Sequence, residues 1–229
     1  MLKLYCGPIS PFSAKVRIAL AEKQLEYDRV DVAYSHRETM SGSYYPRHPE
    51  VVKLSPRNQV PLLVDGSIAL YDSTVIIEYL DDRYPARPLI PGETEQRARC
   101  RQFEHYADEV LFPDVWTLIA NVFYAGNGSA PDAAAIAVAH DNIAGHCAYL
   151  DGAIRNGDCL ADEFSVADIS AFLMVGLSAR LGAQIDPELG NLGRWLQRIG
   201  ERPTVAKDIT EMEAFANSTP EEVSAAENG

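Results

Sequence analysis

The stretch that decides the fold is residues 60–80, VPLLVDGSIALYDSTVIIEYL. Its apolar start predicts a strand, and Asp65-Gly66 predicts a hairpin turn because Gly supplies the positive φ that such turns need. Residues 68–70 are again apolar and predict the returning strand. Asp72-Ser73 has the residue types that cap a helix, which we expect over residues 74–83. The stretch therefore predicts a β-hairpin that leads directly into a helix.

The residues before this hairpin add two strands and a helix. Residues 2–5 predict a short strand, and Ser10-Pro11 predicts a helix start with Ser as N-cap and Pro at the first helical position. That helix runs to about Lys23, and residues 27–32 predict a second strand. Residues 33–59 form a long irregular connection with room for a short helix. The order β-α-β-(α)-β-β-α predicts a small α/β domain with a mixed sheet.

The second part of the chain predicts an all-helical domain. We expect a helical segment over 93–125 that is kinked at Pro113, because proline interrupts the hydrogen bonding of a helix. Apolar residues between 132 and 155 step by three and four, which indicates one face of a helix. Residues 191–200 and 203–216 predict two more helices.

The best local folding signal lies just before a strongly apolar helix. Ser165 has the type of an N-cap, and Asp168 follows three residues later as a short-armed capping box. Phe164 and Ile169 have the spacing of a hydrophobic staple. The helix that follows is apolar almost all round, so we expect it at the centre of a bundle.

Composition supports two domains. The net charge is −13, but residues 1–85 hold 10 Lys/Arg and 11 Asp/Glu, whereas the rest of the chain holds 10 and 22. Such a shift is typical of a domain boundary. We therefore expect a first domain over 1–84, a proline-containing linker over 85–92 and a helical domain over 93–216. The polar tail, 217–229, is predicted to be disordered.

Charge and cysteine usage exclude several function classes. A chain this acidic is expected to repel nucleic acid and anionic lipid. It has neither an apolar signal segment at its start nor an apolar run of the roughly 20 residues that a membrane span needs. Its 4 cysteines are widely spaced, and no C-x-x-C pair or metal-ligand cluster occurs. We expect a cytoplasmic protein with reduced thiols and no metal.

Four motifs, in order along the chain, resemble those of the cytosolic glutathione S-transferases. Residues 10–20 are similar to the active-site segment of serine-type members, most of all the tau class. Residues 55–63 resemble the motif N-P-x-x-x-V-P-x-L, with Ser55 in place of the usual Asn, and their Gln-Val-Pro part resembles zeta and bacterial beta-type members. Residues 72–80 resemble [E/D]-S-x-x-I-x-x-Y-L, and residues 164–168 resemble the family's capping box.

The resemblance implies an α+β thioredoxin-like N-terminal domain with a mixed four-stranded sheet, followed by an all-α helical bundle. It also implies that Ser10 is catalytic, its hydroxyl donating a hydrogen bond to the glutathione sulfur. A thiol with a pKa of ~8.5 is mostly protonated at neutral pH, so such a donor favours the reactive thiolate. Ser13 is the alternative donor. Redox-active relatives carry Cys where this chain has Ser10, and Cys6 does not match that position, so conjugation is favoured over thiol transfer.

The remaining glutathione contacts are also implied by the resemblance. A cis bond before Pro61 is expected to present the backbone of Val60 to the cysteinyl unit of glutathione. Asp72 is expected to pair with the α-ammonium group, and Ser73 with the γ-glutamyl carboxylate at a helix N-terminus. The other candidate contacts are Phe12 and Gln59, with Lys53 and Arg57 for the glycyl carboxylate.

The predicted function is attack by activated glutathione on an electrophilic, mostly apolar small molecule. Glutathione is then a co-substrate, and no cofactor is needed. The second substrate is expected between the domains, near Phe112, Trp116 and Phe123. Family members are usually homodimers, which predicts an interface at residues 74–83 and 93–110.

Two rival functions stay open at this point. One is another glutathione-dependent reaction, namely isomerisation, ether cleavage or dehalogenation, although the Ser-Ser-Cys motif of the zeta-type isomerases is absent. The other is a non-catalytic binding or interaction domain. The connection over 33–48, which is rich in Tyr and His, is either a lid, an interface or a surface insertion.

Overall fold

The computed structural model describes residues 1–32, 48–123, 130–154 and 158–217, with the side chain of Phe123 excepted. Three expectations fall on other residues and lie outside the described part. They are a lid or interface formed by the aromatic connection up to residue 47, a role for the side chain of Phe123, and disorder of the tail beyond 217.

The sheet is mixed and has four strands, as predicted. They are β1 (Leu2–Cys6), β2 (Tyr27–Asp31), β3 (Leu62–Asp65) and β4 (Ile68–Tyr71), in the spatial order β2-β1-β3-β4. β1 is parallel to β2 and antiparallel to β3, and β3 is antiparallel to β4. Leu4, Tyr5 and Cys6 of β1 are all buried. Because successive side chains of a strand point to opposite faces, the sheet is covered on both faces at β1.

Among the residues described before Pro88, three helices accompany the sheet. They are α1 (Pro11–Glu22), α2 (Pro49–Leu54) and α3 (Ser73–Arg83). Both predicted N-caps are confirmed, since the Ser10 Oγ accepts from the Ser13 N–H and Asp72 accepts from the N–H groups of Thr74 and Val75. The unit has the thioredoxin-like order of a strand, a helix, a second strand, a hairpin and a final helix. The predicted fold of this part is therefore confirmed.

The region after Pro88 is helical. Its helices are α4 (Thr94–His105), α5 (Phe112–Phe123), α6 (Ala133–Ala153), α7 (Val166–Arg180) and α8 (Gly190–Gly200). α7 is buried over most of its surface, as expected for the centre of a bundle. A last helix, α9 (Pro203–Ala216), ends the described chain.

The predicted kink near Pro113 takes the form of a π-helical turn. Residues Tyr106–Leu111 adopt π geometry between α4 and α5. A proline in a helix removes one backbone donor and crowds the carbonyl four residues earlier, here that of Glu109. The widened turn just before Pro113 relieves that crowding.

The capping box at the start of α7 is confirmed and has more partners than the sequence indicated. The fully buried Asp168 accepts from the Ser165 N–H and from the N–H of Leu160, both at 3.0 Å. It also accepts from the Trp195 indole N–H at 2.8 Å. Burial raises the Asp168 pKa, and these donors lower it only in part. Phe164, the expected staple residue, lies under the Arg202 guanidinium, with its ring centroid 3.5 Å from Cζ.

The chain divides into two compact units at a different place from the predicted one. The first unit contains residues 1–87 together with the segment that starts at Pro203, and the second contains residues 88–202. α9 was expected in the helical domain, but it packs on α1. The reason is polar: Asp208 of α9 is paired with Arg17 of α1, and both side chains are buried. Helical periodicity cannot show which unit a helix packs against.

Candidate functional site

Three separate sequence segments meet at one end of the sheet. Tyr5 of β1 is paired with Leu62 of β3, and Leu62 is paired with Tyr71 of β4. These three residues form a row across the sheet, in which neighbouring strands are about 4.8 Å apart. The segments that follow β1, precede β3 and follow β4 therefore lie side by side. We call this the Ser10 end of the sheet, because these are the segments of Ser10, Val60 and Asp72.

Ser10 is partly exposed at the N-terminus of α1. Its Oγ accepts a hydrogen bond from the Ser13 N–H at 3.2 Å. A hydroxyl has one donor and two acceptor sites, so capping uses an acceptor site and leaves the proton for another partner. The positive end of the helix dipole lies at the same place and favours a nearby anion. Capping and anion binding are therefore compatible roles of this side chain.

Ser13, the alternative donor, has a different role. It is fully buried, and its Oγ accepts a hydrogen bond from the Gly7 N–H at 3.0 Å. The side chain thus holds the start of residues 7–10, which we call the Ser10 loop. Ser10 itself donates its N–H to the Gly7 carbonyl at 3.2 Å.

The segment before β3 is ordered by a residue that departs from the family motif. Ser55 is buried, and its Oγ accepts a hydrogen bond from the Gln59 N–H at 3.3 Å. The peptide bond between Val60 and Pro61 is cis, as predicted. Among the described residues, no backbone hydrogen bond reaches the Val60 N–H or C=O. Both groups precede the first paired residue of β3 and lie at the Ser10 end of the sheet.

Asp72 and Ser73 form the N-terminus of α3. Asp72 is exposed, with its backbone at φ 76°, and its Oδ1 accepts from the N–H groups of Thr74 at 2.9 Å and Val75 at 3.3 Å. A positive φ costs a non-glycine residue of the order of 1–3 kcal/mol, and such positions are concentrated at functional sites. Ser73 is buried beside it as the first residue of the helix. The first N–H groups of a helix lack intrahelical partners and bind anions readily.

The predicted contacts for the glycyl carboxylate are less constrained. Lys53 is on α2, with a side chain that is 70% exposed and lies 3.8 Å from the Glu50 carboxylate. Arg57 and Gln59 are exposed, and Phe12 is partly buried on α1. The roles of these four side chains stay predictions.

Cys6 ends β1, close to the Ser10 loop, but it is not a thiolate. Burial raises the pKa of its thiol from 9.0 to about 11, despite the nearby Arg17 cation. The Sγ donates to the Asp31 carboxylate at 3.4 Å. A protonated, buried thiol is a poor nucleophile, which agrees with the expectation that Cys6 has no redox role.

The residue that holds the Ser10 loop through its backbone carbonyls was not among those predicted. Arg17 is buried in α1 and donates to the carbonyls of Gly7 at 2.9 Å and Pro8 at 3.3 Å. Burial alone would lower the Arg17 pKa, but the hydrogen bonds and charge of Asp208 outweigh it and raise that pKa. A signal was present in the sequence, because Arg17 lies in α1 directly between the apolar residues Val16 and Ile18.

The predicted second-substrate residues lie in the second unit, on α5. Phe112 and Trp116 are neighbours with ring centroids 6.2 Å apart, and Trp116 is 40% exposed. An exposed Trp beside a second ring offers an apolar surface.

Within residues 1–32, 48–123, 130–154 and 158–217, no group of three or more His, Cys, Asp or Glu side chains is arranged to hold a metal ion. Within the same ranges, the helices are too short or too polar to cross a membrane.

Comparisons with known proteins agree with the geometry of the first unit. Residues 4–88 match the family model described as "Glutathione S-transferase, N-terminal domain". A stringent starvation protein A homolog of Coxiella burnetii is 38% identical over 101 residues, which cover 44% of each chain. A probable maleylacetoacetate isomerase of Vibrio cholerae is 42% identical over 83 residues, which cover 36% of each chain. The chain thus spans less than half the length of these two curated relatives.

A solved structure matches over nearly the whole chain. The crystal structure of a glutathione S-transferase from Rhodospirillum rubrum has a TM-score of 0.76 and 29% sequence identity, and the match covers 90% of each chain. The fold and the candidate site together define a class: a thioredoxin-like domain with a site at one end of its sheet, followed by a helical region. Residues 4–88 therefore belong to the glutathione S-transferase N-terminal domain family, and the chain is similar over nearly its whole length to a solved glutathione S-transferase.

Proposed function

We propose that the protein is a serine-type glutathione transferase in which Ser10 stabilises the glutathione thiolate. The observation that carries the proposal is the register of the sheet, which brings the Ser10 loop, Val60 and Asp72-Ser73 to one end of it. The three segments span two strand spacings, or about 10 Å, which suits an extended tripeptide.

The chemistry follows from the groups at the N-terminus of α1. The Ser10 hydroxyl donates to the glutathione sulfur, and the positive end of the helix dipole adds to the effect. Together they lower the thiol pKa, and a decrease of about two units corresponds to roughly 2.7 kcal/mol. The proton leaves to solvent, and the sulfur lone pair forms a C–S bond to the electrophile. A leaving group departs with the displaced electron pair, or an addition product takes up a proton.

The rest of the tripeptide is held by backbone groups and by α3. The Val60 N–H and C=O pair with the cysteinyl unit, next to Pro61. Ser73 binds the γ-glutamyl carboxylate through its N–H and hydroxyl, while Asp72 pairs with the α-ammonium group. Capping occupies Oδ1 of Asp72, and a carboxylate offers further acceptor sites for the ligand. Phe12, Gln59, Lys53 and Arg57 are further proposed contacts.

Phe112 and Trp116 are the proposed binding surface for an apolar electrophile. Their paired rings and the exposure of Trp116 support this assignment. Conjugation of such molecules is a detoxification reaction, and we propose that role in the cytoplasm. The four free cysteines support a reducing compartment.

We also propose a homodimer, on the resemblance to the family. Support comes from exposed apolar side chains on β4 and α3 of the first unit, Ile68, Tyr71 and Val75, which are 42%, 43% and 47% exposed. Light scattering across a dilution series tests this, since a monomeric mass at micromolar concentration contradicts it.

Calorimetric titration with glutathione at neutral pH tests the proposed function. Titrations in two buffers of different ionisation enthalpy give the number of protons released on binding. We expect close to one proton for glutathione and none for S-methylglutathione, which has no thiol to ionise. Binding without release would contradict thiolate formation, and no binding at millimolar glutathione would contradict the site itself.

A second candidate function is glutathione-dependent isomerisation. It is favoured by the similarity to the probable maleylacetoacetate isomerase of Vibrio cholerae, which is 42% identical over 83 residues. Against it, residues 10–12 are Ser-Pro-Phe rather than the Ser-Ser-Cys of zeta-type isomerases. Turnover of maleylacetoacetate without consumption of glutathione would support this alternative over conjugation.

A further inference from the structure

Arg17 makes two kinds of contact through one buried guanidinium group. Its Nε and Nη2 donate to the two oxygens of Asp208 at 2.7 and 2.9 Å, a bidentate pair. Its Nη1 and Nη2 donate to the backbone carbonyls of Gly7 and Pro8 at 2.9 and 3.3 Å. One side chain therefore connects α9 to the Ser10 loop.

Arg17 and Asp208 are buried so deeply that each charged group needs the other as its partner. The side chains of Arg17 and Asp208 are only 3% and 8% exposed. A guanidinium group without a carboxylate partner is costly to bury, so the position of Arg17 depends on α9. Residue 208 is separated from residue 17 in sequence by the whole second unit.

The contact continues to the backbone of Ser10. The Gly7 carbonyl accepts from both Arg17 Nη1 at 2.9 Å and the Ser10 N–H at 3.2 Å. A displacement of this carbonyl therefore changes the hydrogen bond that holds the backbone of Ser10. A hydroxyl that must meet a sulfur atom at about 3 Å is sensitive to such shifts, because misplacement by ~1 Å can cost about 100-fold in rate.

We propose that Arg17 and Asp208 are positioning residues, through which the docking of α9 sets the placement of the Ser10 hydroxyl. This rests on the proposed role of Ser10 in thiolate formation. Neither residue touches glutathione in this scheme. Lysine cannot replace Arg17, because a single ammonium group lacks the planar fork that serves a carboxylate and two carbonyls together.

A second ion pair on α9 provides a matched control. Arg29 of β2 pairs with Glu211 of α9 at 2.6 Å, with side chains 30% and 40% exposed. This pair also joins α9 to the first unit, but Glu211 makes no contact with the Ser10 loop among the described residues. The variant Glu211→Gln removes a partly exposed ion pair of α9 and leaves the buried pair of Arg17 with Asp208 and the loop contacts in place.

The test compares Arg17→Lys, Asp208→Asn and Glu211→Gln with the wild type. Amide hydrogen exchange of the ligand-free proteins is followed in a peptide that covers residues 7–13. The kcat/KM for glutathione is measured over pH in the same samples. We expect Arg17→Lys and Asp208→Asn to exchange faster, to lose about tenfold or more in kcat/KM, and to shift the activity midpoint to higher pH. Glu211→Gln is expected to match the wild type within about twofold.

The outcomes separate this proposal from the proposed function. Arg17→Lys keeps a charge at the site, so it serves as the second variant if Asp208→Asn does not fold. The positioning role would be overturned if the folded variants showed the amide hydrogen exchange rates and the pH midpoint of the wild type. It would also be overturned if Glu211→Gln changed these two quantities as much as Arg17→Lys and Asp208→Asn do. If the wild type neither binds nor turns over glutathione, the function fails, while faster exchange in the two variants still supports the coupling of α9 to the loop.

Discussion

The Asp168 carboxylate and the Trp195 indole form a buried hydrogen bond of 2.8 Å between α7 and α8. Asp168 also caps α7 and fixes the preceding turn at Leu160, so one side chain joins three segments of the second unit. This carboxylate is a structural centre of the unit, because it accepts hydrogen bonds from Leu160, Ser165 and Trp195.

Replacement of Asp168 by Asn is expected to lower the free energy of unfolding by about 2–4 kcal/mol. The NH2 group of Asn would face the N–H group of Leu160, Ser165 or Trp195. Because two donors cannot pair, one of these N–H groups would be left without an acceptor. Urea unfolding followed by circular dichroism measures the change. Asp132→Asn is the control, because Asp132 is an exposed N-cap and Asn caps equally well. Equal midpoints for the two variants would contradict this role of Asp168.

Substitution of Ser10 separates capping from thiolate stabilisation. Ser10→Ala is expected to lower turnover by about 100-fold, since it removes a donor to a developing anion. It should also cost ~1 kcal/mol through the lost N-cap. Ser10→Thr keeps both the hydroxyl and the cap, so it should retain most of the activity. Steady-state kinetics with a chromogenic electrophile provides the readout, and full activity of Ser10→Ala would refute the assignment.

Two substitutions of Asp72 distinguish glutathione binding from helix capping. Asp72→Asn keeps the cap of α3 and tolerates the positive φ, but it loses the charge for the glutathione ammonium group. We expect a KM for glutathione raised about tenfold and an unchanged melting temperature. Asp72→Ala should also destabilise the fold by about 1–2 kcal/mol. An unchanged KM in Asp72→Asn would leave Asp72 with capping alone.

The buried ion pair between Lys23 and Asp81 is expected to matter for stability. Their side chains are 1% and 8% exposed, and the Nζ–Oδ1 distance is 2.7 Å. Lys23→Met removes the cation and leaves a buried carboxylate, which should cost about 3–5 kcal/mol. Lys207→Met, in an exposed pair with Glu211, should change the free energy of unfolding by less than about 1 kcal/mol. Similar urea midpoints for the two variants would contradict the prediction.

The buried thiols predict a loss of stability at alkaline pH. Burial raises the pKa from 9.0 to about 11 for Cys6 and Cys147. As pH rises, the unfolded chain therefore loses these protons before the folded chain does, and the free energy of unfolding falls between about pH 9 and pH 11. Urea unfolding in reductant at pH 8, 9.5 and 11 checks this. A constant free energy over that range would contradict the assigned burial.

Much of the first unit follows from its sequence. The hairpin over residues 60–80 was predictable because its turn and cap residues, Asp65-Gly66 and Asp72, act within a few residues of their own position. The same holds for the Ser10 N-cap and the capping box of α7. Local motifs of this kind place Ser10, Val60 and Asp72 at the ends of their elements.

Other features required the tertiary structure, because they depend on contacts between residues far apart in the chain. Periodicity predicted α9 but could not assign it to α1, since the choice is made by the buried pair of Asp208 with Arg17. The Trp195 indole N–H likewise donates to Asp168 across 27 positions, and no local motif indicates that pairing. The sequence by itself determined the helices, the strands and their caps. The tertiary structure decided how these elements are joined, through buried pairs of charged and polar side chains. The physical reason is that a buried donor requires an acceptor, from whichever part of the chain supplies one.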